Sequence, residues 1–333
     1  MGIKGMNSLT KGTHQTIPVA DLLDYQSDDP VRRRRFTDTV GEALQELGFF
    51  SLINHGVNVG INDRLIDRAY GLAQDFFELS AKDKLAYEDL KLHGQRGFVD
   101  FGREHAKNSM AGDLKEFWHV GRENWQRPAA PGEIRLQNFW PKELPEFRPV
   151  MLDLYKNMER CARSVLEACA EYLGEPKDTF SGIAEDGDTI LRVIHYPPVA
   201  GDANPASIRA GAHEDINLIT LLVEATAGGL ELLQRDGTWL PIHALPGHII
   251  VDTGDMIQNL TNGVLRSTTH RVINPANSRQ RRFSMPFFVH PRGEAYLNPL
   301  PSCIARQGGK KLYPDITAGE YLAQRLREIG LTK

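Results

Sequence analysis

Six short runs of apolar and β-branched residues follow one another in the second half of the chain, and turn residues separate them. Runs of this length bounded by glycine, proline and aspartate are typical of strands rather than helices. A regular succession of such strands predicts a β sandwich or a β barrel. The runs are TILRVIHY (189–196), NLITLLVE (217–224), LELLQ (230–234), TWLPI (238–242), HIIVDTG (248–254) and RRFSMPFFV (281–289).

The residues before these runs show mainly helical spacing. Apolar residues recur at helical intervals in 30–47, 61–77 and 154–172, and short strand patterns occur at 16–23 and 49–56. The apolar face of a helix must be buried against another element. We therefore expect a helical N-terminal half packed on one β core, rather than two independent domains.

The bulk composition narrows the classes of function. The formal net charge is −4 and the pI about 6.3, so no nucleic-acid-binding surface is expected. The three cysteines form no CxxC pair, which favours a reducing compartment. The first residues lack an apolar signal core, and no run of 18 apolar residues occurs. We expect a cytoplasmic protein without a membrane partner; its oligomeric state cannot be read from the sequence.

A candidate metal site begins in AGAHEDINLITLL (210–222). His213 and Asp215 are two residues apart, so in a strand they project from the same face. Alone, such a pair is more often a surface hydrogen-bonded couple. A third partner is His270 in LTNGVLRSTTHRV (260–272). Two imidazoles and one carboxylate that leave open positions are the ligand set of non-haem Fe(II) oxygenases.

A candidate carboxylate site lies in RRFSMPFF (281–288). Arg282 and Ser284 share one strand face, and a guanidinium pairs bidentately with a carboxylate. A buried arginine without an acidic partner is costly, so a small dicarboxylate that reaches from the metal to Arg282 would satisfy both ends. Arg281 is the rival for this role. It alternates to the other face with Phe283, which favours Arg282.

Together these motifs resemble the isopenicillin N synthase-like family of Fe(II)/2-oxoglutarate-dependent oxygenases, with bacterial members most similar. The match covers roughly residues 16–325 and includes IPVADL, GFFSLINHGV, LRVIHYPP, GGLELL and GDMIQNLTNGVLRSTTHRV. The resemblance implies a mainly β core, a double-stranded β-helix (jelly roll), with flanking α-helices. It divides the chain into a loose leader (1–15), a mostly helical N-terminal non-haem dioxygenase region (16–185), a jelly-roll catalytic core (186–295) and a C-terminal segment with a helix (296–333).

The resemblance also assigns residues. By motif position, His213, Asp215 and His270 would hold Fe(II), and Arg282 with Ser284 would hold the C5 carboxylate of 2-oxoglutarate. No further catalytic side chain is implied.

The tyrosine of HYPP, Tyr196, is similar to a family tyrosine near the co-substrate. Many plant members carry Asn two residues before that tyrosine, where this chain has Ile194. One hydrogen bond to the co-substrate is therefore expected to be absent or to come from elsewhere.

The implied activity uses Fe(II), 2-oxoglutarate and O2. Oxidative decarboxylation of 2-oxoglutarate to succinate and CO2 would be coupled to hydroxylation of a small molecule, or to its desaturation or cyclisation. The Arg282 and Ser284 pair does not by itself show which carboxylate is bound, so an alternative stays open. The chain could be an oxidase of the isopenicillin N synthase or ethylene-forming type, in which that pair binds a different carboxylate. A zinc hydrolase, a non-catalytic jelly-roll binding protein and a nucleic-acid demethylase are more distant alternatives.

The substrate cannot be identified from the sequence. The resemblance places aromatic and apolar side chains of several segments around it, and their character fits many small molecules. The candidate substrate residues are Phe98, Phe101, Phe117, His119, Leu218 and Phe288.

Overall fold

The computed structural model describes residues 17–57, 64–92, 94–103, 113–129, 133–198, 209–223, 226, 228–243, 245–273 and 280–328. The leader expected at 1–15 lies outside these residues. The helices are α1 (Leu22–Tyr25), α2 (Pro30–Glu46), α3 (Leu65–Phe77), α4 (Ala81–Leu85), α5 (Phe147–Leu173), α6 (Ser181–Ala184), α7 (Asp255–Leu260), α8 (Pro301–Arg306) and α9 (Ala318–Glu328). The strands are β1 (Val19–Asp21), β2 (Phe49–Ile53), β3 (Gly97–Val99), β4 (Glu116–Gly121), β5 (Ile190–Tyr196), β6 (Ala210–His213), β7 (Ile219–Val223), β8 (Leu230–Leu233), β9 (Trp239–Pro241), β10 (Ile249–Thr253), β11 (His270–Val272) and β12 (Arg282–Val289).

The strands form two sheets. The larger sheet has the order β1-β2-β10-β7-β12-β5-β4-β3, and the smaller sheet has the order β6-β11-β8-β9. Only β1 and β2 pair in parallel among these strands; the other pairs are antiparallel. The predicted double-stranded β-helix is confirmed. Four strands of the larger sheet, β1 to β4, come from the part of the chain before residue 186, so the N-terminal half also builds the β core.

The 27-residue helix α5 covers one face of the larger sheet and contacts α2, α3, β7 and β12. It ends at Gly174, whose φ of +77° is accessible to glycine at little cost. Its buried positions recur every three to four residues, which is the spacing of one helical face. They include Val150, Leu154, Met158, Cys161, Val165 and Cys169. Truncation of one such residue, as in Leu154→Ala, would cost about 2–5 kcal/mol of stability.

The three cysteines of the chain are free and buried. Burial raises the pKa of Cys161 and of Cys169 to about 12, so both remain thiols at neutral pH. Their role is therefore apolar packing against the sheet.

Among the described helices, none has both the length and the apolar character required to cross a lipid bilayer.

Candidate metal centre and carboxylate site

The two candidate histidines lie on neighbouring strands of the smaller sheet. His213 ends β6, His270 begins β11, and the two residues are directly opposite each other in the antiparallel pair. Asp215 follows β6 after one residue. Its Oδ1 lies 3.7 Å from His213 Nε2 and 3.8 Å from His270 Nε2. Within the described ranges, this is the only group of three His, Cys, Asp or Glu side chains whose ligand atoms converge, all within 4.8 Å.

The backbone fixes which nitrogen of each imidazole is available. His213 Nδ1 lies 2.7 Å from the carbonyl oxygen of Gly211, and His270 Nδ1 lies 3.1 Å from that of Thr268. A carbonyl accepts only, so each Nδ1 carries a proton, and Nε2 is the nitrogen that faces Asp215. Burial, together with the neighbouring His270, lowers the pKa of His213, which keeps that imidazole neutral. Neutral imidazoles oriented by a second hydrogen bond are the usual metal-ligating form.

Asp215 is held as a carboxylate with one oxygen turned to the histidines. The Thr220 hydroxyl donates to Oδ2 and itself accepts from Asn217 Nδ2 at 2.9 Å. Burial opposes ionisation, but the His270 and His213 imidazoles and the Thr220 hydroxyl lower the pKa of Asp215. Two neutral imidazoles and one carboxylate fit Fe(II), since they balance one of its two positive charges and leave coordination positions open.

A second buried carboxyl group, Asp252, was missed by the sequence reasoning. It lies on β10 opposite Thr220 of β7 and lines the same cavity as the histidines. Burial, reinforced by the adjacent Asp215 carboxylate, raises the pKa of Asp252 well above its usual value. The protonated form of Asp252 is therefore favoured beside the Asp215 carboxylate.

A cavity extends between the two sheets from the histidines to the start of β12. Both sheets and charged side chains of both signs contribute to its lining. The lining residues are Lys115, Arg192, Ile194, Tyr196, Ala210, His213, Asp215, Thr220, Leu222, Leu230, Asp252, His270, Val272, Arg282, Ser284, Pro286 and Phe288.

Arg282 and Ser284 face this cavity at the end of the barrel where β12 begins. Both side chains are buried, and Arg282 Nη1 donates to Ser284 Oγ at 3.2 Å. The Arg282 guanidinium lies 4.9 Å from the ring centroid of Tyr196, its partner in the β12–β5 register. Arg281 points outward and pairs with Glu78 at 2.5 Å, as strand alternation requires.

The position of the plant asparagine is apolar here. Ile194 lies opposite Ser284 in the register and lines the cavity, so it offers no hydrogen bond to a co-substrate.

Of the six candidate substrate residues, only Phe288 belongs to the described cavity lining. Phe117 and His119 lie immediately behind it, where both contact Arg192. The sequence reasoning missed Arg192, although alternation along LRVIHY places it on the same face as Tyr196.

The other three candidates lie outside the described lining. Phe98 packs in the main core because it is opposite Trp118 in the register and shares its helix-facing side of the sheet. Leu218 is also in the main core and fully buried. Phe101 is 42% exposed and is not part of the described lining.

Arg192 is held in a fixed orientation. Its Nε donates to His119 Nε2 at 2.5 Å, while His119 Nδ1–H donates to the Gly94 carbonyl oxygen at 2.6 Å. Its guanidinium lies 4.3 Å from the ring centroid of Phe117 and 5.2 Å from that of Phe288. Such stacking favours a cation over an aromatic face. Lys115 adds another cation to the lining and pairs with Asp113 at 2.8 Å.

Comparison with known proteins agrees with this geometry. Residues 17–143 match the family described as non-haem dioxygenase in morphine synthesis N-terminal, and residues 187–291 match the 2OG-Fe(II) oxygenase superfamily. Homoarginine-6-hydroxylase of Oryza sativa subsp. japonica is 30% identical, over 94% of this chain and 97% of the rice protein.

Two solved structures are similar over nearly the whole chain. A 2OG-Fe(II) oxygenase family protein from Caulobacter crescentus is 40% identical, with a TM-score of 0.79, and the match covers 94% of this chain and 99% of that one. A full-length Neurospora crassa protein in complex with alpha-KG (2-oxoglutarate) is 27% identical, with a TM-score of 0.81 and coverage of 95% and 97%. Another structure of the same Neurospora crassa protein also contains thymine.

A jelly roll with two imidazoles and one carboxylate at its mouth defines a non-haem iron oxygenase. The chain belongs to the 2-oxoglutarate- and Fe(II)-dependent oxygenase superfamily, as predicted from its motifs. It is an oxidoreductase that uses Fe(II), 2-oxoglutarate and O2, and its relatives bind small-molecule substrates.

Proposed function

We propose that His213, Asp215 and His270 hold the catalytic Fe(II), and that Arg282 with Ser284 binds the C5 carboxylate of 2-oxoglutarate. The observation that supports this proposal is the convergence of three ligand atoms within 4.8 Å in a cavity whose far end carries the buried Arg282. Fe(II) with 2-oxoglutarate and O2 supplies the oxidant that attacks a substrate C–H bond, and succinate and CO2 are released.

The side chains bind and orient rather than transfer protons. Nε2 of His213, Nε2 of His270 and Oδ1 of Asp215 would hold the metal. Tyr196 packs against the Arg282 guanidinium and so limits its rotation. No side chain is needed as a general base, because the oxidant removes hydrogen from carbon.

The substrate is proposed to enter from the Phe288 end of the cavity, opposite Arg282. Phe288 would contact it directly, and Arg192 would offer a hydrogen-bond donor. Phe117 and His119 would act through Arg192, by stacking on it and by accepting its Nε–H. The proposal covers hydroxylation, desaturation and cyclisation alike, since each begins with removal of hydrogen from the substrate.

The boundary at 185/186 between the N-terminal region and the catalytic core stays a prediction. We also propose that the protein is located in the cytoplasm. Three free, buried thiols need no oxidising compartment.

The test is a succinate assay with purified protein, Fe(II) and 2-oxoglutarate, first alone and then across a panel of small metabolites. We expect slow succinate formation without a substrate and a strong increase with one member of the panel. Chelation of iron should abolish both activities. Substrate oxidation that proceeds without 2-oxoglutarate would favour the isopenicillin N synthase type. Complete insensitivity to chelation would contradict the proposal.

A further inference from the structure

Arg209, which immediately precedes β6, is buried without full use of its hydrogen-bond donors. Its exposed fraction is 1%. Nη2 donates to the backbone oxygen of Gln280 at 2.9 Å, whereas Nε and Nη1 have no acceptor in the described part of the chain. A buried donor without an acceptor costs about 1–3 kcal/mol, and more when it is charged. Within the described residues, the two unused donors are therefore available to an acceptor on a ligand.

Arg209 lies close to the arginine of the carboxylate site. The guanidinium of Arg209 is 5.9 Å from the ring centroid of Tyr196, and that of Arg282 is 4.9 Å from the same centroid. Burial, together with the nearby positive charge of Arg282, lowers the pKa of Arg209. Two buried like charges are stabilised when an anion pairs with both of them.

The cavity reaches the residue next to Arg209. Ala210, the residue after Arg209, lines the cavity together with Val272 and Leu230, beside Arg282. A carboxylate has two oxygens and about four acceptor positions. Arg282 and Ser284 would donate to only some of these acceptor positions, so the same carboxylate can also accept a hydrogen bond from Arg209.

We propose that Arg209 and Arg282 form a two-arginine site for the distal carboxylate of the co-substrate, and that Arg209 binds this carboxylate directly. This inference rests on the proposed function. A second guanidinium raises the penalty for a ligand without a distal charge, because the buried donors of Arg209 then remain unused. Arg209 therefore restricts the co-substrate to dicarboxylic 2-oxo acids.

The experiment is anaerobic titration calorimetry of the Fe(II)-loaded protein with two ligands. One is 2-oxoglutarate, and the other is 2-oxopentanoate, which has the same chain length but no distal carboxylate. In Arg209→Met, the ratio of the two affinities should fall about 10–100-fold, through weaker 2-oxoglutarate binding at nearly unchanged 2-oxopentanoate binding. A structural role for Arg209 would weaken both ligands together.

The matched control is Arg96→Met. Arg96 is also buried, 3% exposed, and its Nε also lacks an acceptor among the described residues, but it packs against Gly121 of β4, whereas Arg209 lies at the Tyr196 ring. Its replacement should leave the affinity ratio unchanged. An unchanged ratio in Arg209→Met would overturn the inference, whereas a wild-type protein that does not bind 2-oxoglutarate would overturn the proposed function itself.

A second measurement does not depend on the folding of the variant. In a crystal structure of the wild-type protein with Fe(II) and 2-oxoglutarate, Nε or Nη1 of Arg209 should lie about 3 Å from a C5 carboxylate oxygen. Separation of these atoms by more than about 4 Å would overturn the direct contact.

Discussion

The metal end and the substrate end of the cavity are stabilised in different ways. At the metal end, each ligand is oriented by a group within five residues: Gly211 for His213, Thr268 for His270 and Thr220 for Asp215. At the substrate end, Arg192 is held by His119, 73 residues away, and by rings of two other strands. The metal ligands are thus oriented by residues near them in sequence. The substrate end instead depends on how three strands of the larger sheet pack together.

The largest effect is expected from loss of the metal-binding carboxylate. Asp215→Ala leaves only two imidazoles, so succinate formation should fall to background and Fe(II) affinity should drop sharply. Asp252→Asn is the matched control, because the amide keeps the shape of the protonated acid and can donate to Asp215. It should retain activity within about tenfold. Equal loss in both variants would contradict the assignment of one charged and one neutral carboxyl group.

The next effect concerns the carboxylate site. Arg282→Lys loses the planar fork that pairs with two oxygens, so the KM for 2-oxoglutarate should rise about 10–100-fold. Arg281→Lys, which changes an outward ion pair with Glu78, should leave KM unchanged. Steady-state succinate assays measure both values, and a larger effect at Arg281 would reverse the proposed orientation of β12.

A smaller loss of Fe(II) affinity is expected when a hydrogen bond that orients a metal ligand is removed. Thr220→Val removes the hydroxyl that donates to Asp215 Oδ2 and should lower Fe(II) affinity about 10–100-fold. Thr253→Val is the control, since the Thr253 hydroxyl bonds to Arg266 rather than to a metal ligand. A metal titration that finds the same affinity in both variants would show that local hydrogen bonds do not tune the site.

The substrate end should be separable from the metal end. Arg192→Gln should leave succinate formation without substrate within about threefold, because the metal ligands and Arg282 keep their own partners. The same variant should lose most of the stimulation by a panel substrate. If formation of succinate without substrate collapses instead, the two ends are one coupled unit.

The smallest effect concerns stability and pH. Burial lowers the pKa of His290, which follows β12, to about 4, against 6.5 in an unfolded chain. Below pH 6.5 the unfolded state therefore binds the proton first, and stability falls as pH drops towards 4. Between pH 7.5 and 5, this residue should cost about 2 kcal/mol of unfolding free energy. Measured by urea unfolding over this pH range, His290→Gln should lose about 2 kcal/mol less unfolding free energy than the wild-type protein. A pH profile identical to that of the wild type would exclude His290 as the cause.

The contrast between the two ends explains what could be predicted from the sequence. Strand alternation predicted that His213 and Asp215 face the same way, and they do converge, although Asp215 lies just beyond β6; the family motif supplied the partner His270. The inward direction of Arg282 follows from the same periodicity, and so does a β sandwich or barrel; the family resemblance specified the jelly roll. These features are local, so the order of residues carries them.

The substrate end could not be predicted in this way. Whether Phe98 or Phe117 faces the cavity depends on the register between β3 and β4, which sequence alone does not give. Asp252 and Arg209 were missed because their chemistry arises from burial beside Asp215 and Arg282, and burial is a property of the assembled fold. Alternation from Tyr196 back to Arg192 was the one available signal.

The most direct test is anaerobic titration of the wild-type protein with Fe(II) and 2-oxoglutarate, followed by visible absorption. The proposed ligands predict a charge-transfer band that saturates at one equivalent of iron, is absent in Asp215→Ala and needs more 2-oxoglutarate in Arg282→Lys. A band that persists in Asp215→Ala, or no band in the wild type, would contradict the assignment of these three side chains as the iron site.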